Sequence, residues 1–386
     1  MSSLPKGQAH PSSVKIALVL ASLGYGGAER VACILANEWH RRSLSVAIIT
    51  FFEGVPAYEL DRGIERIVLG SDFAGATNRI SRNLVLAGAL RHALVSLAPN
   101  VVVSFVDTTN VITLLASLRL NIPVIVAERN NTERYTIPAP WRLLRWLCYR
   151  FAAGLVVQSQ RGLAGVPRPY FGSCRVIPNP VLPATRQLCS SREPPKGPRV
   201  MAMGRLVEQK GFDMLLRAFA RTGPRHSHWS LVIFGEGPER DRLQAMVRDL
   251  TLEHRVFLPG ITPDPMSELS ASDLFVLSSR FEGFPNALCE AMSCGVPVVS
   301  FDCPFGPREI INDGVDGVLV PENDVSGLAE AMDRLMGDKS LREKLGDAGR
   351  AVANRLSAAS VAARWSDYLL ELVNRGRNES DGIVCD

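Results

Sequence analysis

The stretch that decides the fold is Arg280-Phe-Glu-Gly-Phe-Pro-Asn-Ala-Leu-Cys-Glu-Ala-Met-Ser-Cys-Gly-Val-Pro-Val-Val-Ser300. It follows an apolar run at Leu274–Leu277, and a second apolar run covers Val296–Phe301. The pattern predicts a strand, a turn, a helix that begins near Pro285 and ends at Gly295, and another strand. Proline suits the first turn of a helix, where its missing N–H is not needed, and glycine suits the left-handed position that ends one.

The turn between this strand and helix is a candidate anion site. The first N–H groups of a helix have no partner within the helix and carry a partial positive charge, so they attract phosphate. Glu282 and Glu290 flank the same turn. Their carboxylates would repel a phosphate but would accept hydrogen bonds from hydroxyl groups. Phosphate beside a polyol indicates a sugar nucleotide.

The chain of 386 residues exceeds the usual size of one core, so two domains are expected. Apolar runs alternate with amphipathic helical stretches, which predicts an α/β fold with parallel sheets in two Rossmann-like domains. Their predicted bounds are 1–178 and 199–359. A linker dense in Pro, Ser and charge covers 179–198, and a helix and tail cover 360–386.

Strands are expected in both halves of the chain. Those of the first half are Val14–Ala21, Ser45–Thr50, Ile64–Leu69, Val101–Val106, Val124–Ala127, Leu155–Val157 and Arg175–Ile177. Those of the second half are Val200–Gly204, Ser230–Phe234, Arg255–Leu258, Leu274–Leu277, Val296–Phe301 and Gly317–Val320. Open α/β sheets bind ligands at the carboxyl ends of their strands, so we expect the site in a cleft between two facing domains.

Composition excludes several classes of protein. The net charge of +4 is mild and no basic–aromatic repeat is present, so no nucleic-acid partner is expected. The eight cysteines form no Cys-x-x-Cys pair and have no zinc spacing, which indicates reduced thiols in a cytoplasmic protein. The apolar run Val14–Leu23 is too short to span a bilayer and predicts a strand rather than a signal peptide.

The two glutamates, seven residues apart within Glu-Gly-Phe-Pro-Asn and before Glu-Ala-Met-x-x-Gly-x-Pro-Val-Val, resemble the motif of the retaining family-4 glycosyltransferases of the GT-B fold. Gly26–Arg30 resembles the N-terminal glycine loop of that family, Gly204–Gly211 its basic diphosphate clamp, and Phe234–Arg240 its base-side loop. Asp302–Ile310 and Pro123–Asn130 resemble one branch, which builds polyprenyl-diphosphate-linked glycans in bacteria.

The resemblance implies transfer of a hexose or N-acetylhexosamine, with retention, from a UDP-sugar to a polyprenyl-diphosphate-linked saccharide. It implies an enzyme of surface polysaccharide or glycan biosynthesis, peripheral on the inner face of the plasma membrane, with no cofactor beyond the donor. It also implies that the C-terminal helix, within 360–386, crosses back to the first domain. Two alternatives stay open at this point: a UDP-sugar 2-epimerase on the same fold, and a non-catalytic scaffold partner of another transferase.

Arg205 and Lys210 are the candidate cations for the leaving diphosphate, because both follow the strand that ends at Gly204. No Asp-x-Asp motif occurs in the chain, so this basic pair rather than a metal is expected to neutralise the charge. The resemblance places Glu282 against the donor sugar, and with the two cations it forms the expected catalytic set. The alternative is that the cations are solvated surface charges.

The expected donor-binding residues are glycines of the loops, backbone N–H groups at the helix start and one helical carboxylate. They are Gly26, Gly27, Gly235, Gly237, Gly283, Phe284, Asn286, Ala287 and Glu290. The resemblance assigns the carboxylate to the ribose, Gly26 and Gly27 to the diphosphate and acceptor side, and Gly235 and Gly237 to the base pocket. Gly283 permits close approach of the phosphate.

Acceptor contacts are expected in the first domain. Many relatives carry a histidine there, whereas this chain has Glu128 and Arg129 after a strand, and Asp107 follows the strand before it. The alternative interpretation, for both loops, is a purely structural role. Arg308 is a further candidate for an acceptor phosphate.

The helix near Trp141 is the last candidate. Its spacing predicts a basic–aromatic face of Arg142, Arg145, Trp146 and Tyr149, with leucines facing inward. That face would meet a lipid diphosphate or the anionic inner leaflet, unless the helix is an ordinary one with its apolar side inward.

Overall fold

The structure is a computed structural model that describes residues 14–24, 26–54, 56–70, 79–129, 137–166, 170, 172–181 and 197–381. The chain forms two compact units. Unit 1 comprises the described residues of Met1–Pro180 and Ala358–Asp386, and unit 2 those of Val181–Ser357. The linker predicted over 179–198 lies largely outside the described residues.

Unit 1 contains a parallel sheet of seven strands in the order β3-β2-β1-β4-β5-β6-β7. The strands are β1 Lys15–Leu20, β2 Ser45–Thr50, β3 Glu65–Val68, β4 Val101–Phe105, β5 Val124–Ala127, β6 Gly154–Val157 and β7 Ser173–Val176. Its helices are α1 Gly27–Arg41, α2 Arg79–Leu97, α3 Asp107–Ser117, α4 Ala139–Cys148 and, from the far end of the chain, α13 Ala358–Asp381.

The central strands of this sheet are covered on both faces, which is why they are continuous apolar runs. β4 and β5 are buried along their whole length. β1 pairs with β2 on one side and with β4 on the other, so the strand order reverses between β1 and β4. The loops after β1, β4 and β5 leave the same edge of the sheet, where ligands of such folds bind.

Helix α13 completes the core of unit 1. Trp365 is fully buried and meets Trp39 of α1 edge-on, with 6.5 Å between the ring centroids. The indole N–H of Trp39 donates to the carbonyl of Ala362 at 3.4 Å. The resemblance implied that the helix expected from residue 360 crosses back to the first domain; in the structure it begins at Ala358 and packs into unit 1.

Unit 2 contains a parallel sheet of six strands in the order β10-β9-β8-β11-β12-β13. The strands are β8 Arg199–Met203, β9 Ser230–Phe234, β10 Val256–Gly260, β11 Leu274–Leu277, β12 Val298–Phe301 and β13 Val318–Val320. The helices are α5 Phe212–Arg221, α6 Arg240–Asp249, α7 Pro265–Ser270, α8 Asn286–Ser293, α9 Pro307–Ile310, α10 Val325–Gly337, α11 Lys339–Gly349 and α12 Ala351–Arg355.

Strands β8 and β11 are neighbours in the middle of this sheet, with Leu274 opposite Val200 and Phe275 opposite Met201. Because they are parallel, the loops that follow them lie side by side at the carboxyl edge. These are the two loops in which the candidate cations and Glu282 occur.

The prediction of two Rossmann-like domains with parallel sheets is confirmed. Every predicted strand is present, with ends that differ by a few residues; β12 begins at Val298 rather than Val296. Helix α8 lies between Pro285 and Gly295, as the sequence predicted. No helix within the described ranges combines the length and the apolar content needed to cross a bilayer.

Candidate functional site

The site in unit 2 is built around an ion pair between Lys210 and Glu282. Nζ of Lys210 lies 2.7 Å from Oε1 of Glu282. The hydroxyl of Ser279 donates to the same oxygen at 2.6 Å. Glu282 is 3% exposed, whereas the lysine side chain keeps part of its surface accessible. Two residues predicted as separate ligand contacts are thus bound to each other.

The loops that carry this pair are fastened together. Lys210 ends a 3-10 turn, Glu208–Lys210, and its carbonyl accepts a hydrogen bond from the hydroxyl of Ser278 at 2.9 Å. The N–H of Arg280 donates to the carbonyl of Gln209 at 2.8 Å. Gly211 is left-handed, and a Cβ there would lie 2.1 Å from the carbonyl oxygen of Ser278. Only glycine permits this close approach.

Arg280 also holds the start of α5. Its guanidinium donates two hydrogen bonds to the carboxylate of Asp213, each 2.9 Å long, and one to the carbonyl of Glu208 at 2.7 Å. Burial alone would raise the pKa of Asp213, but the hydrogen bonds and charge of Arg280 outweigh it and lower that pKa. This two-point contact fixes the position of the loop that contains Glu282.

Arg205, the second predicted cation, is exposed. Within the part of the chain that the structure describes, no carboxylate pairs with its guanidinium. The side chain is therefore available to an anionic ligand.

Gly235 and Gly237 lie in the loop after β9, which contacts the loop after β8. A Cβ at Gly235 would lie 1.9 Å from the carbonyl oxygen of Gly204, and one at Gly237 would lie 2.3 Å from that of Leu206. The N–H of Leu206 donates to the carbonyl of Glu236 at 2.9 Å. Close packing of two loops thus requires these glycines, and their role in a base pocket stays a prediction.

The predicted phosphate site at the start of α8 consists of Gly283, Phe284, Asn286 and Ala287. The helix has no side-chain cap at its start, and Glu290 is buried within it. The N–H of Asn286 donates to the carbonyl of Phe284 at 3.0 Å, so this group already has a partner in the chain. The other three residues keep their predicted role as an expectation.

The loop after β12 lies beside the loop that contains Glu282. The N–H of Glu282 donates to the carbonyl of Pro304 at 3.3 Å. Arg308 donates through Nε to Asp302 at 2.7 Å and is otherwise exposed. Burial raises the pKa of the Cys303 thiol, and the negative charge of Glu282 raises it further. The positive charge of Lys210 acts in the opposite direction and lowers this pKa. Cys303 therefore lies beside the ion pair as a neutral thiol.

A second polar cluster lies in unit 1, at the carboxyl ends of β4 and β5. Nε of Arg145 lies 2.9 Å from Oε1 of Glu128, and the hydroxyl of Tyr149 donates to the same oxygen. Nδ2 of Asn110 donates to the hydroxyl of Tyr149 at 3.0 Å. Burial raises the pKa of Glu128 to about 7; Arg145 opposes this, and the neighbouring Asp107 raises it.

Arg129 is buried and directed into the core. Its guanidinium donates to the side chain of Asn179 and lies 4.9 Å from the ring centroid of Phe105 and 5.9 Å from that of Trp365. Burial lowers the pKa of Arg129 to about 9. These contacts give the residue a structural function, and its contact with an acceptor stays a prediction.

The predicted faces of α4 are wrong. Arg145 and Tyr149 are buried, whereas the leucines expected to face inward are exposed: Leu143, Leu144 and Leu147. Arg142 and Trp146 are exposed, as predicted. The buried carboxylate of Glu128 attracts Arg145 inward, and that attraction turns the apolar side of the helix outward.

Gly26 and Gly27 form the junction between the loop after β1 and helix α1. Gly27 is the first residue of α1, and Gly26 is its extended N-cap, whose carbonyl accepts from the N–H of Arg30 at 3.0 Å. Residue 25 lies outside the described residues. The geometry is that of a tight strand-to-helix turn, and contact with the diphosphate stays a prediction.

Comparison with known proteins decides the family. Residues 25–184 match the family described as Glycosyltransferase Family 4, and residues 186–352 match Glycosyl transferases group 1. The chain belongs to the family-4 glycosyltransferases.

Among relatives of this glycosyltransferase, one aligns along nearly its whole length. It is the GalNAc-alpha-(1->4)-GalNAc-alpha-(1->3)-diNAcBac-PP-undecaprenol alpha-1,4-N-acetyl-D-galactosaminyltransferase of Campylobacter jejuni, 27% identical over 94% of this chain and 99% of the relative. An exopolysaccharide phosphotransferase of Streptomyces coelicolor is 40% identical over 46% of this chain, but the alignment spans only 19% of that protein.

Solved structures share the GT-B fold. Sucrose-phosphate synthase from Thermosynechococcus elongatus superposes with a TM-score of 0.78 at 20% identity and covers 93% of this glycosyltransferase and 99% of the synthase. HepE of Anabaena, solved in complex with UDP and glucose, superposes with a TM-score of 0.75 at 21% identity, covering 92% and 99% of the two chains.

Sequence patterns did not predict the residues that support the site of this glycosyltransferase. Ser279 and Asp213 bind the catalytic candidates or their loop, and Asn110 binds Tyr149. One signal was present for Ser279, since a hydroxyl directly after a buried strand lies at the ligand-binding edge. Among the described residues, no group of three or more His, Cys, Asp or Glu is arranged to hold a metal ion.

Proposed function

We propose that this glycosyltransferase moves a hexose or N-acetylhexosamine from a UDP-sugar to a polyprenyl-diphosphate-linked saccharide, with retention, without a metal ion and at the inner face of the plasma membrane. The observation that carries the proposal is the ion pair between Lys210 and Glu282 at the carboxyl ends of β8 and β11. It places a cation and an acceptor of hydroxyl protons side by side.

The leaving diphosphate requires positive charge where its own charge develops. An ammonium group has three donors, and Glu282 uses one of those of Lys210, which leaves two for diphosphate oxygens. The exposed guanidinium of Arg205 is the second cation. The N–H groups of Gly283, Phe284 and Ala287, before and at the start of α8, are the proposed further donors to the same anion.

The proposed contacts with the rest of the donor follow from burial and position. Glu282 has a second oxygen, Oε2, to accept from a hydroxyl of the sugar. Glu290 of α8 accepts from the ribose. UDP as the nucleotide is supported by HepE, which was solved with UDP and glucose, although that relationship extends only to the fold.

Retention is implied by the resemblance to the retaining family-4 enzymes, and the surroundings of Glu282 bear on how it would be achieved. Its Oε1 is occupied by a lysine and a serine, so the carboxylate is a poor nucleophile for a covalent intermediate. We therefore propose front-face attack. The bond between the anomeric carbon and the β-phosphate oxygen breaks, the acceptor oxygen bonds to that carbon, and the acceptor proton passes to the departing diphosphate.

A lipid-linked acceptor is supported by the printed name of the Campylobacter relative, which specifies an undecaprenol diphosphate glycan. Acceptor contacts are assigned to Asp107, Glu128 and Arg142 of unit 1 and to Arg308 of unit 2. Of these, Arg142 and Arg308 have exposed side chains suited to a phosphate.

A donor panel tests the proposal. Purified protein is incubated with UDP- and GDP-linked sugars and a polyprenyl-diphosphate acceptor, and products are separated by mass. We expect one UDP-sugar to yield an acceptor longer by one sugar, with chelator added. A new UDP-hexose formed from donor alone would instead show an epimerase, and absence of UDP binding by calorimetry would show a scaffold.

A further inference from the structure

Helix α4 and the 3-10 turn that follows it expose a continuous apolar surface. We define the outer face of α4 by its five exposed apolar side chains. They are Leu143, Leu144, Trp146, Leu147 and Phe151. Residues three or four apart lie on one side of a helix, so these side chains form a stripe along α4. Leu143 is 59% exposed and Phe151 57%.

This exposure is imposed by the opposite side of the helix. Arg145, Cys148 and Tyr149 are buried, and Arg145 and Tyr149 are fixed by Glu128. The helix cannot rotate its leucines inward without removing that arginine from a buried carboxylate, which would leave the carboxylate unpaired. The apolar stripe is thus a stable feature of the surface, of the kind that marks an interaction site.

The charge around the outer face favours an anionic partner. The described residues 137–166, which include α4 and its 3-10 turn, contain four arginines and no aspartate, glutamate or lysine, and one of the four, Arg145, is buried against Glu128. Arg142 and Arg150 are exposed on α4 and its 3-10 turn, next to the apolar stripe. The guanidinium of Arg150 lies 5.4 Å from the ring centroid of Trp146.

The side-chain types fit a membrane interface. Tryptophan prefers the boundary between headgroups and acyl chains, and arginine extends its guanidinium to lipid phosphates while its methylenes lie on apolar surface. Leucine and phenylalanine insert below them. Exposed apolar residues beside exposed arginines are suited to an anionic lipid surface.

We propose that the outer face of α4 docks this chain on anionic lipid bilayers. Leu143, Leu147 and Phe151 insert among the acyl chains, and Arg142 and Arg150 bind lipid phosphates. This face would hold the enzyme at the membrane where the proposed function places it, and in that respect the proposal rests on the proposed function. Vesicle binding itself requires no glycosyl transfer.

Vesicle sedimentation tests the proposal. The full chain is mixed with vesicles of phosphatidylglycerol and phosphatidylcholine, or of phosphatidylcholine alone. We expect binding to the anionic vesicles, and a loss of about tenfold or more in the variant Leu143→Gln/Leu147→Gln. The matched control is Val315→Gln in unit 2, because Val315 is also 59% exposed. Arg142→Gln/Arg150→Gln should reduce binding and its dependence on salt.

Tryptophan fluorescence gives a second measurement. Trp39, Trp229 and Trp365 are buried and Trp141, on the same helix, is partly buried, so a blue shift on adding vesicles should come mainly from the exposed Trp146 and should decrease in Trp146→Phe. Equal vesicle binding by Leu143→Gln/Leu147→Gln and the parent chain would overturn the proposal. So would a change from dimer to monomer in that variant without vesicles, which would show that the face binds a second copy.

The test separates docking from catalysis. If docking is right and transfer is also right, Leu143→Gln/Leu147→Gln loses activity on acceptor embedded in anionic vesicles and keeps it on a short-chain, water-soluble acceptor. If the proposed transfer is wrong, neither acceptor is modified, but the difference in vesicle binding remains.

Discussion

Lys210 and Glu282 are 72 residues apart in the chain, and their charged atoms lie 2.7 Å from each other. The glutamate is nearly inaccessible to solvent, and the lysine and Ser279 both donate hydrogen bonds to its buried carboxylate. The pair therefore contributes both to the stability of unit 2 and to the proposed chemistry, and the two contributions are separable by mutation.

Lys210→Met should reduce transfer by about 10²–10³-fold, because the diphosphate loses a donor where charge develops. It should also lower the thermal unfolding midpoint, since Glu282 would stay buried without a counter-ion. Adding Glu282→Gln in the same chain should restore part of the midpoint and none of the activity. Lys339→Met is the control, because Lys339 is exposed on α11. Activity restored in the double variant would contradict the assignment.

Gly235→Ala should reduce the free energy of unfolding by about 1–3 kcal/mol, because the new methyl group would overlap the carbonyl of Gly204 and separate two loops. UDP binding should weaken in parallel. Gly223→Ala is the matched control: Gly223 also has a positive φ, but the nearest atom to its added Cβ lies 3.8 Å away. Chemical denaturation and calorimetry measure both effects. Equal losses in the two variants would indicate that backbone conformation alone matters.

Glu128 should make stability depend on pH. Its pKa is raised from 4.5 to about 7, so the folded state holds a proton that the unfolded state releases between these values. The stability that this proton contributes is complete below 4.5 and is lost as the pH rises through about 7. Glu128→Gln should therefore flatten the pH dependence of the unfolding midpoint, whereas Glu65→Gln, on the exposed start of β3, should leave it unchanged. An identical slope in Glu128→Gln and the parent chain would show that other groups cause it.

Arg145→Leu should destabilise unit 1 by about 3–5 kcal/mol, because it leaves the carboxylate of Glu128 buried without its cation. Arg142→Leu lies on the same helix and has the same chemical change, but its side chain is exposed, and we expect a change within about 0.5 kcal/mol. Denaturant unfolding of the two variants measures this difference directly. Equally small losses in the two variants would support the helix orientation that the sequence alone predicted, in which both arginines lie on the outward face.

The sheets were predictable because their strands are buried on both faces. Runs such as Val101–Phe105 and Val124–Ala127 contain almost no polar residue, and that pattern has few alternatives in an α/β chain. Helix α8 was predictable for a different reason. Pro285 marks its start because the proline ring restricts φ, and Gly295 marks its end because glycine accepts the positive φ of 76° found there; both effects act locally.

The orientation of α4 was not predictable from its own residues. Its arginines are distributed around the helix, and the position of Glu128 decides which of them lies inward. Glu128 is outside the helix, 17 positions before Arg145, in the loop after β5. The ion pair between Lys210 and Glu282 in unit 2 was also not predictable from sequence pattern. Each partner was assigned to a ligand, and pattern alone could not show that the chain itself supplies the partner. The backbone before α3 was also not predictable. Val106, which precedes the first residue of α3, has a φ of 75°, and β-branched residues rarely adopt a positive φ.

Helix α13 has a consequence for how this chain is made. During synthesis, Val181–Ser357 emerge from the ribosome as one uninterrupted segment with a complete core of their own. The earlier strands of unit 1 must wait for Trp365, Tyr368 and Leu372, which pack into their core from the other end of the chain. Most of unit 1 is therefore translated before unit 2 but completes its fold after it. Until α13 is made, the unfinished apolar surface of unit 1 is a target for chaperones.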